Sequence, residues 1–326
     1  MTKLPIGIDI SKDTLDYSVY SCDQADTQGK LGNRVSAIHK FLNRFSPDDH
    51  FLVLEPTGTY GDKLLELATQ SGFEVRLAPP WKSSQFTSVL GIINKTDRSA
   101  AHVLAQMGLK LDLEQYHPPS QIMKERKQVQ QALSALTKQC RMLKNQLHAL
   151  EQRLSPSQAA VSALSNSLAA MEQEKQRLEE QLQELDDEEK TQFTKYAQSV
   201  CGIGDKSAQL LLIYTNGLKY FDKKTQLPKF VGTAPSKHYS GSSIKVRGAI
   251  TKSGPGELRA CLYNAAKSAK RFNHACKALY ERLRKKGKPH KVAMVAVINK
   301  LLHQVFAVVK SRTLFDNELY IKNAKA

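Results

Sequence analysis

Three acidic residues could share one site, and two of them stand where a carboxylate is costly unless a positive charge accompanies it. Asp9 interrupts the apolar run Ile6–Ile10, Glu55 lies in the apolar run 51–56, and Asp97 opens a helical pattern. A carboxylate within an apolar strand needs an ion-pair partner or a metal ion. Oxygen ligands suit Mg²⁺ or Mn²⁺ and leave coordination positions for phosphate oxygens and water. Together the three acids predict a divalent-metal site, although Asp97 taken alone is more typical of a helix start.

A second group of residues could act on a phosphodiester. Residues 237–243 read Lys-His-Tyr-Ser-Gly-Ser-Ser, and Arg247 and Lys252 follow them. A serine hydroxyl that attacks phosphorus needs cations to stabilise the charge developing on the phosphate, and Lys237, Arg247 and Lys252 would supply them. A serine among small residues is otherwise typical of a flexible loop, and composition alone favours that interpretation.

The elements that must position the acids form an alternating pattern. Strand and helix patterns occur at 4–10, 14–20, 35–46, 51–56, 60–71 and 73–80, and another helix is expected near Asp97. This order predicts an α/β domain with a mixed sheet over residues 1–118. Asp13 and Asp16 are expected to be turn and surface residues.

Residues 119–192 carry a heptad pattern. Apolar residues recur at alternating spacings of four and three over Val129–Leu154 and again over Val161–Leu185. Between these runs, Ser155 suits a helix cap and Pro156 the first position of a helix. The pattern predicts two long helices, either folded back as a hairpin or continuous with a kink. A seam of this length favours a coiled-coil arm that joins subunits into a dimer or tetramer, and an ordinary helical pair within one chain is the alternative.

The charge of the chain is unevenly distributed. Residues 1–192 contain 22 basic and 25 acidic residues, whereas residues 193–326 contain 26 basic and 6 acidic residues. A strongly basic half beside a nearly neutral one indicates a polyanionic partner such as DNA. A merely solubilising basic surface is the alternative.

The basic half, beyond residue 192, is expected to be mainly helical and to contact phosphates. A Gly-x-Gly turn between two helical patterns resembles a helix-hairpin-helix element, although a tight turn without a ligand is equally typical. A basic run follows at 282–288, and Lys267, Lys270 and Arg271 add to the basic surface. The candidate nucleic-acid contacts are Gly202, Gly204, Lys206, Lys237, Arg247, Lys252, Arg259, Arg284, Lys285 and Lys286.

Several features bear on the cellular location. The five cysteines are scattered without a Cys-x-x-Cys pair, so neither zinc nor a disulfide framework is indicated and a reducing compartment fits. No signal-peptide pattern precedes the first strand, which predicts a cytoplasmic location. Polar residues including Asn299, Lys300 and His303 interrupt the apolar stretch Val292–Val309. That stretch is therefore expected to be a buried helix, and no membrane partner is expected.

The motifs around the three acids, GIDISKD, LEPTGTY and NKTD, resemble the N-terminal RuvC-like domain of the Piv DNA invertases and their insertion-sequence transposase relatives. This family is called DEDD after its four acids, and the resemblance extends over essentially the whole chain. It implies a RuvC-like (RNase H-like) α/β catalytic domain at 1–118, a coiled-coil arm at 119–192 and a basic, mainly α-helical transposase domain at 193–326. It also implies a bacterial, nucleoid-associated protein whose Asp9, Glu55 and Asp97 bind Mg²⁺ or Mn²⁺.

The serine-containing stretch looks like the second motif of the same family. By that resemblance Ser240 is the nucleophile and forms a transient phosphoserine link to DNA, with Ser242 and Ser243 as alternatives. Such a link conserves the energy of the broken bond, so rejoining needs no ATP. The acids and Ser240 are far apart in sequence, and different subunits could supply them.

The fourth acid of the family pattern is missing. The resemblance places it at position 100, one helical turn after Asp97, where this chain has Ala100. Either a deliberate Asp→Ala substitution has inactivated the site, or this member naturally lacks the acid. The close match around the position favours the substitution.

These observations predict a site-specific DNA recombinase, either a transposase or an invertase, that cuts and rejoins DNA through a Mg²⁺-assisted serine nucleophile. Some transposases of the family are guided by a bridge RNA, so a structured RNA is a further candidate partner. One alternative is a RuvC-like nuclease or junction resolvase that hydrolyses DNA without rejoining it. Another is a non-catalytic nucleic-acid-binding scaffold, which Ala100 favours.

Overall fold

The computed structural model describes residues 3–20, 27–56, 58–92, 96–235, 238–240, 244–246 and 249–319. Contacts divide the chain into two units, Met1–Pro118 and Pro119–Ala326. The first unit contains a sheet with helices, and the second is built almost entirely from helices.

The sheet of the first unit has six strands in the order β3-β2-β1-β4-β5-β6. Their bounds are β1 Leu4–Ile10, β2 Thr14–Val19, β3 Thr27–Gly32, β4 His50–Leu54, β5 Glu74–Leu77 and β6 Glu114–Gln115. The strands β1, β2 and β3 pair antiparallel, β4 and β5 run parallel to β1, and β6 pairs antiparallel with β5. The predicted mixed sheet is confirmed, and β3 and β6 are strands that the patterns did not predict.

Helices cover both faces of this sheet. Their bounds are α1 Val35–Leu42, α2 Asp62–Gln70, α3 Pro80–Val89 and α4 Asp97–Lys110. The apolar sides of α1 and α2 pack on one face, against β1 and β4 residues such as Ile6, Ile8 and Leu54. On the other face, Leu104 and other α4 side chains pack against Val53 of β4. Burial on both faces explains why these strands are almost continuously apolar.

The second unit begins with two long helices, α5 (Gln121–Glu151) and α6 (Gln158–Glu184). They fold back on each other, and Lys144 Nζ of α5 lies 2.6 Å from Glu172 Oε1 of α6. Of the two arrangements left open by the sequence, the hairpin is confirmed. The expected cap at Ser155 is wrong, because the hydroxyl that accepts a free amide at the start of α6 belongs to Ser157.

The apolar seam of this helical hairpin is not buried evenly. Near its base, Val129, Leu133 and Leu182 are buried in a cluster with Ile213. Farther along α5 the seam residues Leu143, Leu147 and Leu150 are only half-buried. We call α5 and α6 the helical arm.

The remaining elements form a helical bundle that carries a small two-stranded hairpin. Their bounds are α7 Glu188–Ser199, α8 Asp205–Thr215, α9 Gln226–Val231, β7 His238–Ser240, β8 Ile244–Val246, α10 Gly256–Phe272, α11 His274–Lys285 and α12 His290–Ser311. The core of the bundle is formed mainly by α7, α8, α10 and α12. The expectation of a mainly helical basic half is confirmed.

By length and composition alone, α12 qualifies as a membrane-spanning helix, and it is the one such helix within the described ranges. Its residues Met294, Val297, Leu301 and Val305 are completely buried in the core of the bundle. The apolar stretch is therefore a core helix, as the sequence predicted.

Candidate active site

Asp9 and Glu55 occupy neighbouring strand ends. In the parallel pair β1–β4, Ile8 lies opposite Leu54. Asp9 follows Ile8 and Glu55 follows Leu54, so the two acids are neighbours at the same end of the two strands. Side chains alternate between the two faces of a strand, and Ile8 and Leu54 belong to the core beneath α1 and α2. Asp9 and Glu55 consequently lie toward the α4 face of the sheet, and both are half-buried.

The direction of α4 brings its first turn to the same end of that face. A Cβ atom added at Gly7 would lie 2.1 Å from the carbonyl oxygen of Ala101, and one added at Gly108 would lie 2.9 Å from Pro5 Cβ. The helix therefore runs antiparallel to β1, with its N-terminal turn toward Asp9. Gly7 is required here because α4 approaches the strand at backbone distance.

Asp97 is the first residue of α4 and is exposed. Thr96 caps the helix, with its hydroxyl accepting from the Ser99 amide at 3.1 Å, and the Ser99 hydroxyl lies 2.8 Å from the Thr96 amide. This reciprocal cap fixes where α4 begins and leaves the Asp97 carboxylate outside the cap. One turn later Ala100 is only 7% exposed and provides no ligand atom.

The carboxylates share one end of the sheet face without closing around an ion. Within the described ranges, no three His, Cys, Asp or Glu side chains are close enough to hold one metal ion. The oxygen donors of Asp9, Glu55 and Asp97 match a hard cation in kind. Their placement and the methyl group at Ala100 leave the donor set incomplete for such an ion.

Asp16 was expected on the surface, and that expectation is wrong. It lies on β2 directly opposite Asp9 of β1 and is only 8% exposed, because α4 also covers this part of the sheet. Lys30, opposite it on β3, approaches to 3.1 Å and compensates its charge. The period-two pattern of Leu15 and Tyr17 on one face of β2 was the signal that placed Asp16 on the other face, together with Asp9.

Ser240 is the last residue of β7, and its backbone pairs with Ile244 of β8. It therefore stands next to the tip of a short hairpin in the second unit. Lys237 and Arg247, which were expected to assist it, lie outside the described residues, as do Ser242 and Ser243.

The other candidate cations near the hairpin have different environments. Lys252 is exposed and has φ of 56°, a left-handed conformation that lysine rarely adopts. Arg259 is half-buried, and its Nη1 donates to the carbonyl oxygens of Val231, at 3.1 Å, and of Gly254. Part of the Arg259 guanidinium is thus committed to the fold.

The Gly-x-Gly turn joins α7 to α8 as predicted. Gly202 has φ of 108° and packs against Ala269 of α10, so a side chain there is excluded by both conformation and space. Gly204 caps α8 and Lys206 is exposed, which would suit a phosphate. Asp205 in the same first turn carries a negative charge that opposes an anion, so the geometry favours a structural turn.

The last turn of α11 presents Arg284, Lys285 and Lys286 to solvent. Arg284 also closes the turn toward α12, donating from Nη1 to the carbonyl oxygen of Lys288 at 2.7 Å. Cations at a helix C-terminus are stabilised by the helix dipole and remain available to phosphate oxygens.

Comparison with known proteins gives this architecture its class. Residues 6–156 match a family model described as a transposase, and residues 194–281 match the transposase IS116/IS110/IS902 family. The pilin gene-inverting proteins of Moraxella bovis and Moraxella lacunata are each 27% identical to the chain over 334 residues, covering 98% of this chain and all of theirs. An uncharacterized 43.6 kDa protein of insertion element IS110 from Streptomyces coelicolor is 25% identical over 121 residues, covering 37% of this chain and 30% of that protein. The chain belongs to the IS110-type DEDD transposase/invertase family.

Proposed function

We propose that this protein recombines DNA at specific sites by cutting and rejoining strands through Ser240. Family membership supports site-specific recombination as the activity. The observation that supports a catalytic role for the first unit is the common location of Asp9, Glu55 and the start of α4 at one end of a sheet face. A RuvC-like fold of this unit is compatible with its mixed sheet.

The proposed step is a transesterification. The Ser240 hydroxyl oxygen attacks the scissile phosphorus, a new O–P bond forms, and the bond to one sugar oxygen breaks. The proton leaves the serine and the released sugar oxygen acquires one. In the reverse direction, a sugar hydroxyl attacks the phosphoserine and regenerates Ser240, which conserves the phosphodiester bond without ATP. Exposed cations such as Lys252 would stabilise the charge on the phosphate.

Asp9, Glu55 and Asp97 are the residues proposed to hold Mg²⁺ or Mn²⁺, and the bound ion would offset the negative charge of the scissile phosphate. Their carboxylates need to move closer together to bind one ion, because in the structure the three side chains do not converge on one point. A chain that carries Ala100 is expected to bind the ion weakly.

A covalent adduct tests the proposed nucleophile. The full chain, with Ala100 and with Ala100→Asp, would be produced in bacterial cells, denatured rapidly and treated with nuclease, and its peptides analysed by mass spectrometry. We expect a nucleotide attached to Ser240 that is lost in Ser240→Ala and retained in the matched control Ser242→Ala. An adduct on Ser242 or Ser243 would identify a different nucleophile.

Two other outcomes correspond to the alternative functions. Strand cleavage without any adduct would indicate a RuvC-like nuclease or junction resolvase. DNA binding without cleavage or adduct, even with Ala100→Asp, would indicate a non-catalytic scaffold, and the buried methyl group of Ala100 is the observation that favours it.

The helical arm is proposed to join subunits into a dimer or tetramer. Leu143, Leu147 and Leu150 remain half-buried in one chain, so a second arm would cover them further. Mixing Asp9→Ala and Ser240→Ala subunits tests whether partner chains supply different parts of one site. Recovery of recombination in the mixture would support composite sites, and complete failure would support sites within one chain.

A structured guide RNA is proposed as a further partner. The excess of 26 basic over 6 acidic residues in residues 193–326 supports binding of a polyanion and does not distinguish RNA from DNA. Sequencing of the nucleic acid that co-purifies with the protein separates the two, and a single abundant non-coding RNA is the expected result.

A further inference from the structure

The two ends of the chain segment that carries Ser240 meet at a closed base. The Lys252 amide donates to the Gly232 carbonyl at 3.0 Å, and the Thr251 amide donates to the Ala234 carbonyl at 3.2 Å. These bonds connect the beginning and the end of the segment. The hairpin of β7 and β8, which ends its first strand at Ser240 and which we call the serine hairpin, therefore has a defined starting point on the bundle.

Glycines allow this base to be tight. A Cβ atom at Gly254 would lie 1.9 Å from the carbonyl oxygen of Phe230, and one at Gly232 would lie 2.6 Å from the Ser253 amide nitrogen. The two chain ends therefore cross at backbone distance. A shift of either end displaces the other.

Arg259 of α10 forms hydrogen bonds to both chain ends at this crossing. Its Nη1 donates to the carbonyl of Val231, on the incoming end, and to the carbonyl of Gly254, on the outgoing end. A single guanidinium nitrogen thus holds both ends of the serine hairpin to the first turn of α10.

Glu257, two residues earlier on α10, is held by the helical arm and by α8. Its Oε1 accepts from Gln130 Nε2 at 3.1 Å, and its Oε2 accepts from Ser134 Oγ at 2.5 Å and from Tyr214 Oη at 3.0 Å. Gln130 is only 4% exposed, so the contact to the arm is shielded from water. Burial and the neighbouring Glu257 carboxylate raise the pKa of Tyr214 to about 12, which keeps its hydroxyl a donor.

We propose that Glu257 and Arg259 are positioning residues that couple the helical arm to the serine hairpin through the first turn of α10. The proposal rests on the proposed function, because the hairpin matters for catalysis only if Ser240 is the nucleophile. The helix start transmits position because Glu257 and Arg259 belong to one rigid hydrogen-bonded segment. A tilt of α5 displaces Glu257, and Arg259 carries the displacement to the hairpin base. A misplacement on the order of 1 Å is enough to slow a reaction about a hundredfold.

The coupling is tested first without any chemistry. Backbone hydrogen exchange of residues 249–254 would be measured in the full chain, in Gln130→Leu and in Glu257→Gln. The matched control is Gln146→Leu, which changes an exposed glutamine of α5 in the same way. We expect the Thr251 and Lys252 amides to exchange on the order of tenfold faster in the two variants and unchanged in the control. Unchanged exchange in Gln130→Leu would overturn the proposal, whatever the protein does to DNA.

The second measurement separates positioning from DNA contact. In Arg259→Ala we expect the rate of Ser240 adduct formation to fall about a hundredfold, with DNA affinity changed by less than about threefold. Arg259→Lys is expected to recover part of the rate by reaching one of the two carbonyls. If the affinity of Arg259→Ala for DNA fell as much as the rate of adduct formation, and binding depended less on salt, Arg259 would instead be a phosphate contact. Absence of any adduct in the parent chain and in Ala100→Asp would overturn the proposed function, and the exchange result would still decide the coupling.

Discussion

At the scale of single residues, position 100 decides the character of the acidic site. Ala100 lies one turn after Asp97 on the side of α4 that is turned inward, and its methyl group is almost completely buried. A carboxylate there would be expensive to bury unless a cation paired with it. In the proposed metal site, alanine at this position withholds a fourth oxygen ligand, which an acidic residue would provide.

Replacing Ala100 by Asp is expected to increase Mg²⁺-dependent recombination by about tenfold or more, because a fourth oxygen ligand would complete the site. The measurement is a recombination assay over a range of Mg²⁺ concentrations, with unfolding followed in parallel. Without Mg²⁺ the buried carboxyl group should cost at least about 1–3 kcal/mol of stability, which is the range for a neutral polar group buried without a partner. Ala100→Asn, with the same shape and no charge, is the control, and an equal gain in that variant would argue against a metal role.

Gly7 is expected to be the least replaceable residue of β1. In Gly7→Ala the new methyl group would collide with the backbone of α4 at Ala101, so the helix must move away from the sheet. A loss of about 3 kcal/mol in the free energy of unfolding is expected from chemical denaturation. Gly32→Ala is the control, since a Cβ at Gly32 has no neighbouring atom within 4 Å. A similar loss in both variants would contradict the close approach of α4 as the cause.

At the scale of secondary-structure elements, the base of the helical arm is locked to α7. Arg126 of α5 is completely buried, and its Nη2 donates to the Leu185 carbonyl at 2.9 Å and lies 3.0 Å from Asp187 Oδ1. Asp187 also caps α7 by accepting from the Lys190 amide at 2.7 Å. One carboxylate therefore joins the end of the arm to the beginning of the bundle.

The Asp187 contacts predict an acid-sensitive arm base. Burial alone would raise the pKa of Asp187, but the Lys190 amide and the Arg126 guanidinium outweigh it and the pKa is lowered. A lowered pKa means that the stabilisation is present above the unfolded value, about 3.9, and is lost as the pH falls through the folded value. Thermal unfolding should show Asp187→Asn less stable than the parent chain by roughly 1 kcal/mol near neutral pH, with the difference vanishing at low pH. A difference that is independent of pH would contradict this assignment.

At the scale of the whole molecule, the three candidate site acids and the excess of basic residues belong to different units. The acids Asp9, Glu55 and Asp97 belong to the unit Met1–Pro118, whereas the basic excess belongs to the helical bundle of the second unit. Such a division suits a protein that holds a polyanion with one part and keeps its candidate site acids in another, because acids on a DNA-binding surface would repel phosphate.

Binding of DNA is expected to depend strongly on salt through the bundle. The logarithm of the association constant for DNA falls linearly with the logarithm of the salt concentration. Changing Lys285 and Lys286 together to Ala should make this slope shallower by about two, because each lysine that neutralises a phosphate releases about one counterion. The measurement is a binding titration at several salt concentrations. The control changes Lys40 of α1 and Lys63 of α2 together to Ala. Both lysines are exposed, and both helices pack on the face of the sheet opposite the three acids. Equal slopes in the two double variants would remove the end of α11 from the DNA-binding surface.

The sequence alone predicted the elements whose pattern is local. Alternating and continuous apolar runs predicted β1 and β4, and the heptad spacing predicted the two helices of the arm, because these periods follow from backbone geometry. The polar segment Thr27–Gly32, with two glycines, has no such period. It forms an edge strand because the backbone of β2 pairs with it, and this pairing depends on where β2 lies in the sheet.

The residues whose roles depend on distant parts of the chain were decided by the tertiary structure. Asp16 is buried beside Asp9 because α4, more than 80 residues later, covers that face of β2. Arg259 looked like a DNA-binding cation, and packing of α10 beneath the hairpin base gave its guanidinium two carbonyl partners. The types and the spacing of Asp9, Glu55 and Asp97 indicated a carboxylate site from sequence. How closely they approach, and what surrounds Ala100, depended on long-range packing that local patterns do not encode.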